Sequence, residues 1–233
     1  MKAGITLLLI FFFSLTFGQV PTYSNVAVPS RPSAPMFLRD LFSAPFEPKP
    51  YAGIQGSPYI EDGWTLARIR FQDTKRTLDS IRIKLNVYED KIHYKDENGV
   101  EMQMTMRAEE IRIIDSNSAL NGKVYLSGFD QGSGFFEVLA EAGNLRLLKR
   151  YRAFVWETKP LGSEPQKNFD QETELYLCRD YSLFKANKNC LSTKEAVGNN
   201  EKMLNYISSG NIRCNKEEDL RKLISFYASS KDR

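Results

Sequence analysis

The side chains that most often carry acid–base or nucleophilic chemistry are scarce in this chain. Its 233 residues include a single histidine, His93. Ser/His/Asp and Cys/His mechanisms need a histidine as the base, and no G-x-S-x-G elbow is present to supply a nucleophile. His93 alternates with Ile92 and Tyr94, which predicts that its side chain lies on the solvent face of a strand. We therefore predict no catalytic residue, and one histidine excludes a multi-histidine metal site.

Carboxylates are the remaining acid–base candidates, since a pair of them can hydrolyse glycosides without histidine. Glu137 and Glu141 are expected on one face of one strand, about 13 Å apart at about 3.3 Å per residue. Glycosidase pairs lie within about 5 to 9.5 Å, so these two are not such a pair. Glu109 and Glu110 are adjacent and are expected in a solvated turn. Carboxylates from different strands could still converge in the fold.

Three cysteines, Cys178, Cys190 and Cys214, all lie in the last quarter of the chain. Their spacings of 12 and 24 residues lack the close C-x-x-C pairs of zinc sites. One disulfide is permitted in an oxidising compartment, and Cys190 with Cys214 is the first pairing to test. Three unpaired buried thiols are the alternative. We predict no metal and no cofactor.

Three other patterns suggest binding, and each has a structural alternative. Residues 130–134, Asp-Gln-Gly-Ser-Gly, lack the ligand spacing of an EF-hand and the lysine of a P-loop, so a flexible connection is expected. Trp64 and Trp156 could stack on sugars, although core positions are favoured. A set of basic residues that alternates with apolar residues could attract an anionic glycan or a membrane surface. An ordinary strand with one buried face and one solvent-exposed face is the favoured interpretation. This set comprises Arg146, Lys149, Arg150 and Arg152.

The first eighteen residues predict a secretory signal peptide. Lys2 is followed by a mainly apolar run over residues 5–13, and small residues stand at Thr16 and Gly18. The run is too short to span a membrane, which needs about 20 apolar residues. We predict cleavage after Gly18, a mature chain that begins at Gln19, and a soluble periplasmic or secreted product that is not a lipoprotein. A retained N-terminal anchor is the alternative, and no transmembrane segment is expected after cleavage.

Residues 19–60 form a proline-rich leader that holds eight of the ten prolines. Proline fixes φ and removes a donor, so this leader should be extended and mobile, with order only near Tyr51 to Tyr59. An apolar cluster at Met36-Phe37-Leu38 and Leu41-Phe42 is predicted to dock on the domain as a clip. The chain has 32 basic and 29 acidic side chains. Loss of Lys2 with the signal leaves a net charge of +2, which does not predict nucleic-acid binding.

Residues 61–187 are predicted to form a β-rich domain and residues 188–233 a helical segment packed on it. Two runs show the period-two alternation of half-buried strands, and hairpin turns are expected at Asn98-Gly99 and Gly143-Asn144. A capping box at Ser192 to Glu195 begins a helical segment that is broken or bent near Gly198, and Gly210 is its expected left-handed stop. The fold class is α+β and predominantly antiparallel β: a curled meander sheet or sandwich followed by two or three C-terminal helices. The two runs are Ile81, Ile83, Leu85 and Val87, and Val100, Met102, Met104 and Met106; the last helix carries a stripe of Leu220, Leu223, Ile224 and Tyr227.

The chain contains the segments Gly56-Ser57-Pro58-Tyr59-Ile60, Gly63-Trp64, Leu85-Asn86-Val87-Tyr88-Glu89-Asp90, Phe135-Phe136-Glu137-Val138-Leu139, Leu147-Leu148-Lys149-Arg150-Tyr151, residues 215–227 and the Gly18-Gln19 junction. Together these segments resemble a family of uncharacterised exported β-rich proteins of Bacteroidota. The resemblance covers the chain from Gly56 to the C-terminus. The family has no assigned activity, so the resemblance implies export and a β-rich fold but assigns no site residues.

The expected function is an exported, non-enzymatic binding or structural module of the cell envelope. It would act through a sheet face or an exposed helix stripe, with an envelope protein or a glycan as partner and without nucleic acid. One alternative is an envelope hydrolase that uses convergent carboxylates. The other is a carrier of a small apolar ligand, which requires a cavity lined by residues such as Met102, Met104 and Met106.

Overall fold

The computed structural model describes residues 42–46, 51–96, 99–159, 161–162, 164–210 and 212–231. The predicted signal peptide, most of the proline-rich leader and the apolar residues 36–38 and 41 lie outside the described residues. So does Asn98 of the predicted Asn98-Gly99 turn.

Alternation of apolar and polar residues produces most of the strands. In β3 (Thr65–Phe71), every second side chain is buried. The other described strands are β1 (Phe42–Pro45), β2 (Ile54–Gln55), β4 (Thr77–Asn86), β5 (Lys91–Lys95), β6 (Glu101–Met104), β7 (Ala108–Ile113), β8 (Val124–Leu126), β9 (Phe136–Ala142), β10 (Leu145–Thr158), β11 (Gln166–Arg179) and β12 (Ser182–Lys185). The described helices are α1 (Leu191–Val197), α2 (Glu201–Ser209) and α3 (Glu217–Lys231).

The strands form one large open sheet, in the order β1-β6-β5-β4-β3-β7-β8-β9-β10-β11-β12. Neighbours on this path are antiparallel, whereas β2 pairs parallel with β11. Tight turns connect the hairpins: Gly143, at φ 60°, occupies the first position of the β9–β10 turn, which fits a type II′ turn. The fold is therefore α+β, a mostly antiparallel meander sheet followed by three helices, as predicted.

The sheet curls so that its two halves cover different cores. The first core lies between β3–β7 and the far half of the β10–β11 hairpin, which contributes Ala153 and Phe169. The second lies between β9–β11 and the helices, where Leu147 and Leu177 pack against Leu223. The apolar stripe predicted for the last helix is the buried side of α3. Burial of such a stripe, rather than helix propensity, stabilises most short helices.

The ends of the helices differ from the capping prediction. The predicted box at Ser192 does not begin the helix, because Cys190 is the N-cap of α1, in a left-handed conformation without a side-chain cap. Gly198, at φ 63°, separates α1 from α2, and Asn200 caps α2 by accepting a hydrogen bond from the Met203 amide. Gly210 has φ −98°, so it is not the left-handed stop that we expected.

A disulfide joins Cys190 and Cys214, the first pairing that the sequence indicated. It connects the start of α1 to the segment before α3, so it closes the helical segment on itself. Cys178 is a buried free thiol.

Candidate ligand-binding face

The β10–β11 hairpin extends beyond β9 and β12, and its far half is flanked by the short β2, which pairs with β11 at Lys167 and Asn168. The two strands pair over their full length, from Leu145↔Arg179 to Thr158↔Gln166. Its neighbour β9 pairs with β10 only as far as Arg150, and β12 pairs with β11 only from Tyr176 onward. We call the far half of the hairpin, residues 151–158 and 166–173, the hairpin arm.

The inner face of the hairpin arm is fixed to the first core. Ala153 and Phe169 are buried there, and the Ala153 amide donates to the Val87 carbonyl at 3.1 Å. Gln171 Nε2 donates to the Tyr59 carbonyl oxygen at 2.7 Å. Apolar burial and these bonds hold the arm on the body of the protein, so its opposite face has a defined orientation.

The opposite side is the outer arm face, which consists of two side-chain columns. Phe154 and Trp156 lie next to one another in the β10 column, and their side chains are 40% and 45% exposed. Neither has a ring or cation contact among the described residues. The cross-strand pairs of this face are Arg152↔Glu172, Phe154↔Asp170, Trp156↔Asn168 and Thr158↔Gln166.

The β11 column beside the two rings is polar. Arg152 lies 3.7 Å from Glu172, and both side chains are about half exposed. Asp170 is exposed and has no ion pair within the described part of the chain. One arginine and two carboxylates give the outer arm face a net charge of −1. The face therefore combines two exposed aromatic rings with carboxylate and amide groups.

A cleft of about 530 Å³ lies between β5, β6 and the segment that connects β8 to β9. Ile92, Met104 and Met106 form part of its lining, and the loop at residues 130–134 lies along one side. Met102 packs on the first core and does not line the cleft. The predicted set of three methionines is thus only partly brought together. The loop at residues 130–134, predicted as a flexible connection between strands, forms part of the cleft lining.

The position of Asp90 at this cleft is fixed by its neighbours. Its carboxylate accepts a hydrogen bond from the Ser133 hydroxyl at 2.7 Å and lies 3.5 Å from the Arg150 guanidinium. Arg150 also packs over the ring of Phe136. The Asp90 carboxylate therefore links the loop to the sheet.

His93 is fully buried, so its predicted place on a solvent face is wrong. Its Nδ1 lies 2.9 Å from Glu101 Oε1 and 3.0 Å from the Tyr59 hydroxyl oxygen. The Phe46 ring packs against it with centroids 4.2 Å apart. Phe46 and Tyr59 belong to the leader, which covers the outer face of β5. Burial lowers the pKa of His93, against the opposing effect of Glu101.

Glu137 and Glu141 lie on opposite faces of the sheet, which corrects the predicted shared face. Glu141 pairs with Arg146 and Glu137 with Lys149, and a bulge interrupts the register between them. The bulge adds one residue to β9 and so reverses the side-chain direction beyond it. Glu137 is held by Lys123, at 3.3 Å, and by the Tyr151 hydroxyl. The two carboxylates are not a catalytic pair.

The remaining predicted candidates have structural contacts. Glu109 and Glu110 lie within β7 rather than in a turn, and both form ion pairs with Arg70. Trp64 is half-buried and packs under the ammonium group of Lys84 at 4.9 Å. In the described residues, no group of three or more His, Cys, Asp or Glu side chains could hold a metal ion.

Comparison with known proteins gives no assignment. No family model, curated protein or solved structure matches the chain. The resemblance to exported Bacteroidota proteins therefore stays a prediction. Within the described ranges, no helix has both the length and the apolar character needed to cross a membrane.

Sequence reasoning missed the outer arm face because it assigned Trp156 to the core. A signal for it was present: β10 carries apolar residues on both faces beyond Arg152. Ala153 and Val155 form one face and Phe154 and Trp156 the other. A strand at the surface can bury only one of these sets within its own domain.

Proposed function

We propose that this protein is an exported, non-enzymatic binding module that contacts its partner through the outer arm face. The observation that carries the proposal is the pair of adjacent exposed rings, Phe154 and Trp156, on a strand whose other face is fixed to the core. Large exposed apolar groups rimmed by polar residues are typical of interaction sites. Aromatic side chains are also enriched among the residues that dominate binding energy.

Export is supported by two independent features. The apolar run over residues 5–13 follows Lys2 and precedes small residues, as in a signal peptide. The Cys190–Cys214 disulfide fits an oxidising compartment, since disulfides are rare in the reducing cytosol. The expected location is the periplasm or the exterior.

The non-enzymatic part of the proposal is supported by how the acid–base candidates are used. His93 is buried under the leader, and Glu137 is engaged by Lys123 and Tyr151. The carboxylates of the outer arm face, Asp170 and Glu172, are exposed to water. The convergent-carboxylate hydrolase is an alternative without a supporting observation among the described residues.

The test measures retention of the full chain by envelope fragments of the organism that encodes it. We expect the wild-type protein to co-sediment with the fragments and Trp156→Ala to reduce the bound fraction by about tenfold, a loss of about 1.4 kcal/mol. Phe154→Ala should act in the same direction. Tyr181→Asn is the matched control, because Tyr181 is 65% exposed and lies in the β11–β12 turn, away from the arm. Equal retention of Trp156→Ala and wild type would refute the proposal.

A second candidate function, the carrier of a small apolar ligand, is favoured by the cleft. Its volume of about 530 Å³ lies in the range of small-molecule sites, and methionine side chains adapt to varied apolar shapes. Met106→Trp should fill this space. If the cleft is a carrier site, mass spectrometry of organic extracts should find a co-purified small molecule with the wild type and not with Met106→Trp.

A further inference from the structure

We infer that the outer arm face binds a neutral polysaccharide chain that lies along β10 and β11; this inference rests on the proposed binding function and names its partner. The first ground is the pair of rings. Sugar rings present C–H groups on their faces, and these pack against exposed aromatic faces. Phe154 and Trp156 are two residues apart on one strand face, so their positions are separated by about 7 Å along the strand. One chain can contact both.

The second ground is the polar column beside the rings. Sugars carry hydroxyl groups around the ring edge, which need donors and acceptors next to the stacked face. Asp170 lies directly across from Phe154 and supplies carboxylate oxygens. Asn168 lies across from Trp156; its amide nitrogen donates to the Thr158 hydroxyl and the Gln166 carbonyl, so the group that it offers is the side-chain carbonyl oxygen. Neighbouring strands are about 4.8 Å apart, so these groups flank the rings within reach of the hydroxyls of a stacked sugar. Stacking and edge hydrogen bonding are thus available on the same face.

The third ground is the sign of the charge. The outer arm face carries Arg152 against the carboxylates of Asp170 and Glu172, a net charge of −1. Arg152 is engaged with Glu172 at 3.7 Å. A polyanion such as nucleic acid or a sulfated glycan would approach uncompensated Asp170 and be repelled. The charge therefore disfavours a polyanionic chain.

The size of the face sets the expected ligand length. From Arg152 to Thr158 the β10 column runs six residues, or about 20 Å. That is long enough for several sugar rings. On the β11 side the face adjoins β2, which pairs with β11 at Lys167 and Asn168. Oligosaccharides should therefore bind more tightly as they lengthen, until the column is filled.

The experiment uses the full chain and isothermal titration calorimetry with cellohexaose, chitohexaose, mannohexaose and xylohexaose, and with heparin as the polyanion. We expect at least one neutral hexasaccharide to bind, with an affinity that does not change with salt concentration. Trp156→Ala and Phe154→Ala should each weaken binding by about tenfold, and Asp170→Ala by a smaller factor. Tyr181→Asn should bind as the wild type does. Unchanged thermal unfolding of each variant shows that the fold is intact.

Failure of this inference is distinguishable from failure of the proposed function. Absence of binding to all four neutral hexasaccharides, or tighter binding to heparin, overturns the polysaccharide inference. If envelope retention depends on Trp156 but protease treatment of the fragments abolishes it, the partner is a protein. In that case the binding function stands and the polysaccharide inference falls. If retention does not depend on Trp156, the proposed function fails, whatever the calorimetry shows.

Discussion

Lowering the pH from about 7.5 to about 5 should destabilise this protein through one residue, His93. The His93 ring projects from β5 and is fully buried beneath the leader, and burial lowers its pKa in the folded state from the ordinary value of 6.5. The unfolded chain therefore takes up a proton near pH 6.5 that the folded chain does not accept. The contribution of neutral His93 to the free energy of unfolding is fully present above this pH, and it is lost as the pH falls toward the lowered pKa of the folded state.

The magnitude follows from proton linkage. In the window between the two pKa values, the unfolded state binds one more proton, so the free energy of unfolding falls by up to about 1.4 kcal/mol per pH unit. A change of stability within this pH window can be assigned to His93, because it is the only histidine in the chain. Burial raises the pKa values of Glu174 and Glu217, but their charged partners outweigh it and hold both values below the ordinary 4.5, so these groups lose their contribution only at more acidic pH.

The assay is urea unfolding at several pH values between about 7.5 and 5, with His93→Phe as the comparison. Phenylalanine keeps a ring beside Phe46 and does not titrate. It also leaves the Tyr59 hydroxyl bonded to Glu101, at 3.2 Å. We expect the variant to lose the pH slope in this window. A wild-type protein whose stability is flat between these pH values, or a variant with an equal slope, would show that His93 is not buried in its neutral form.

Three further changes test the packing that positions the site. Replacing both Cys190 and Cys214 by alanine removes a disulfide that links residues 24 positions apart. The free energy of unfolding should fall by about 3 to 4 kcal/mol, which lowers the urea midpoint. An unchanged midpoint would contradict this prediction. Gly56→Ala should cost about 2 kcal/mol, because Gly56 has φ +84° and an added Cβ would lie 3.0 Å from a backbone oxygen of β11. Gly53→Ala is the control, because Gly53 also has a positive φ, of +80°, but an added Cβ would meet no atom within 4 Å. An equal loss of stability in the two variants would mean that the cost comes from the positive φ alone. Leu223→Ala should cost about 2 to 5 kcal/mol in the same assay, and a smaller loss would mean that α3 is not anchored by this side chain.

The strand positions were accessible to sequence reasoning because their signal is local. The alternation of Ile83 and Leu85 with polar neighbours sets which side chains share a face, whatever the rest of the chain does. The stripe containing Leu223 fixed the buried side of α3 in the same way. These patterns led to the correct fold class and to the correct location of the helices.

Local patterns could not show which faces become covered. Alternation correctly separated His93 from Ile92, but the outer face of β5 is buried by Phe46 and Tyr59, which come from much earlier in the chain. The error at Glu137 and Glu141 has a different cause. One extra residue in β9 reverses the side-chain direction, and no single residue in that stretch marks the bulge.

The same question of coverage explains why the outer arm face is the place to look for function. On both β5 and the hairpin arm, aromatic or histidine side chains are directed to the side opposite the first core. On β5, the leader covers them and buries His93. On the hairpin arm, Phe154 and Trp156 stay 40% and 45% exposed, although the opposite face of the arm is buried in the first core through Ala153 and Phe169. The two rings leave apolar surface in water that a bound partner would remove, and this is the reason that we propose a binding role for the arm.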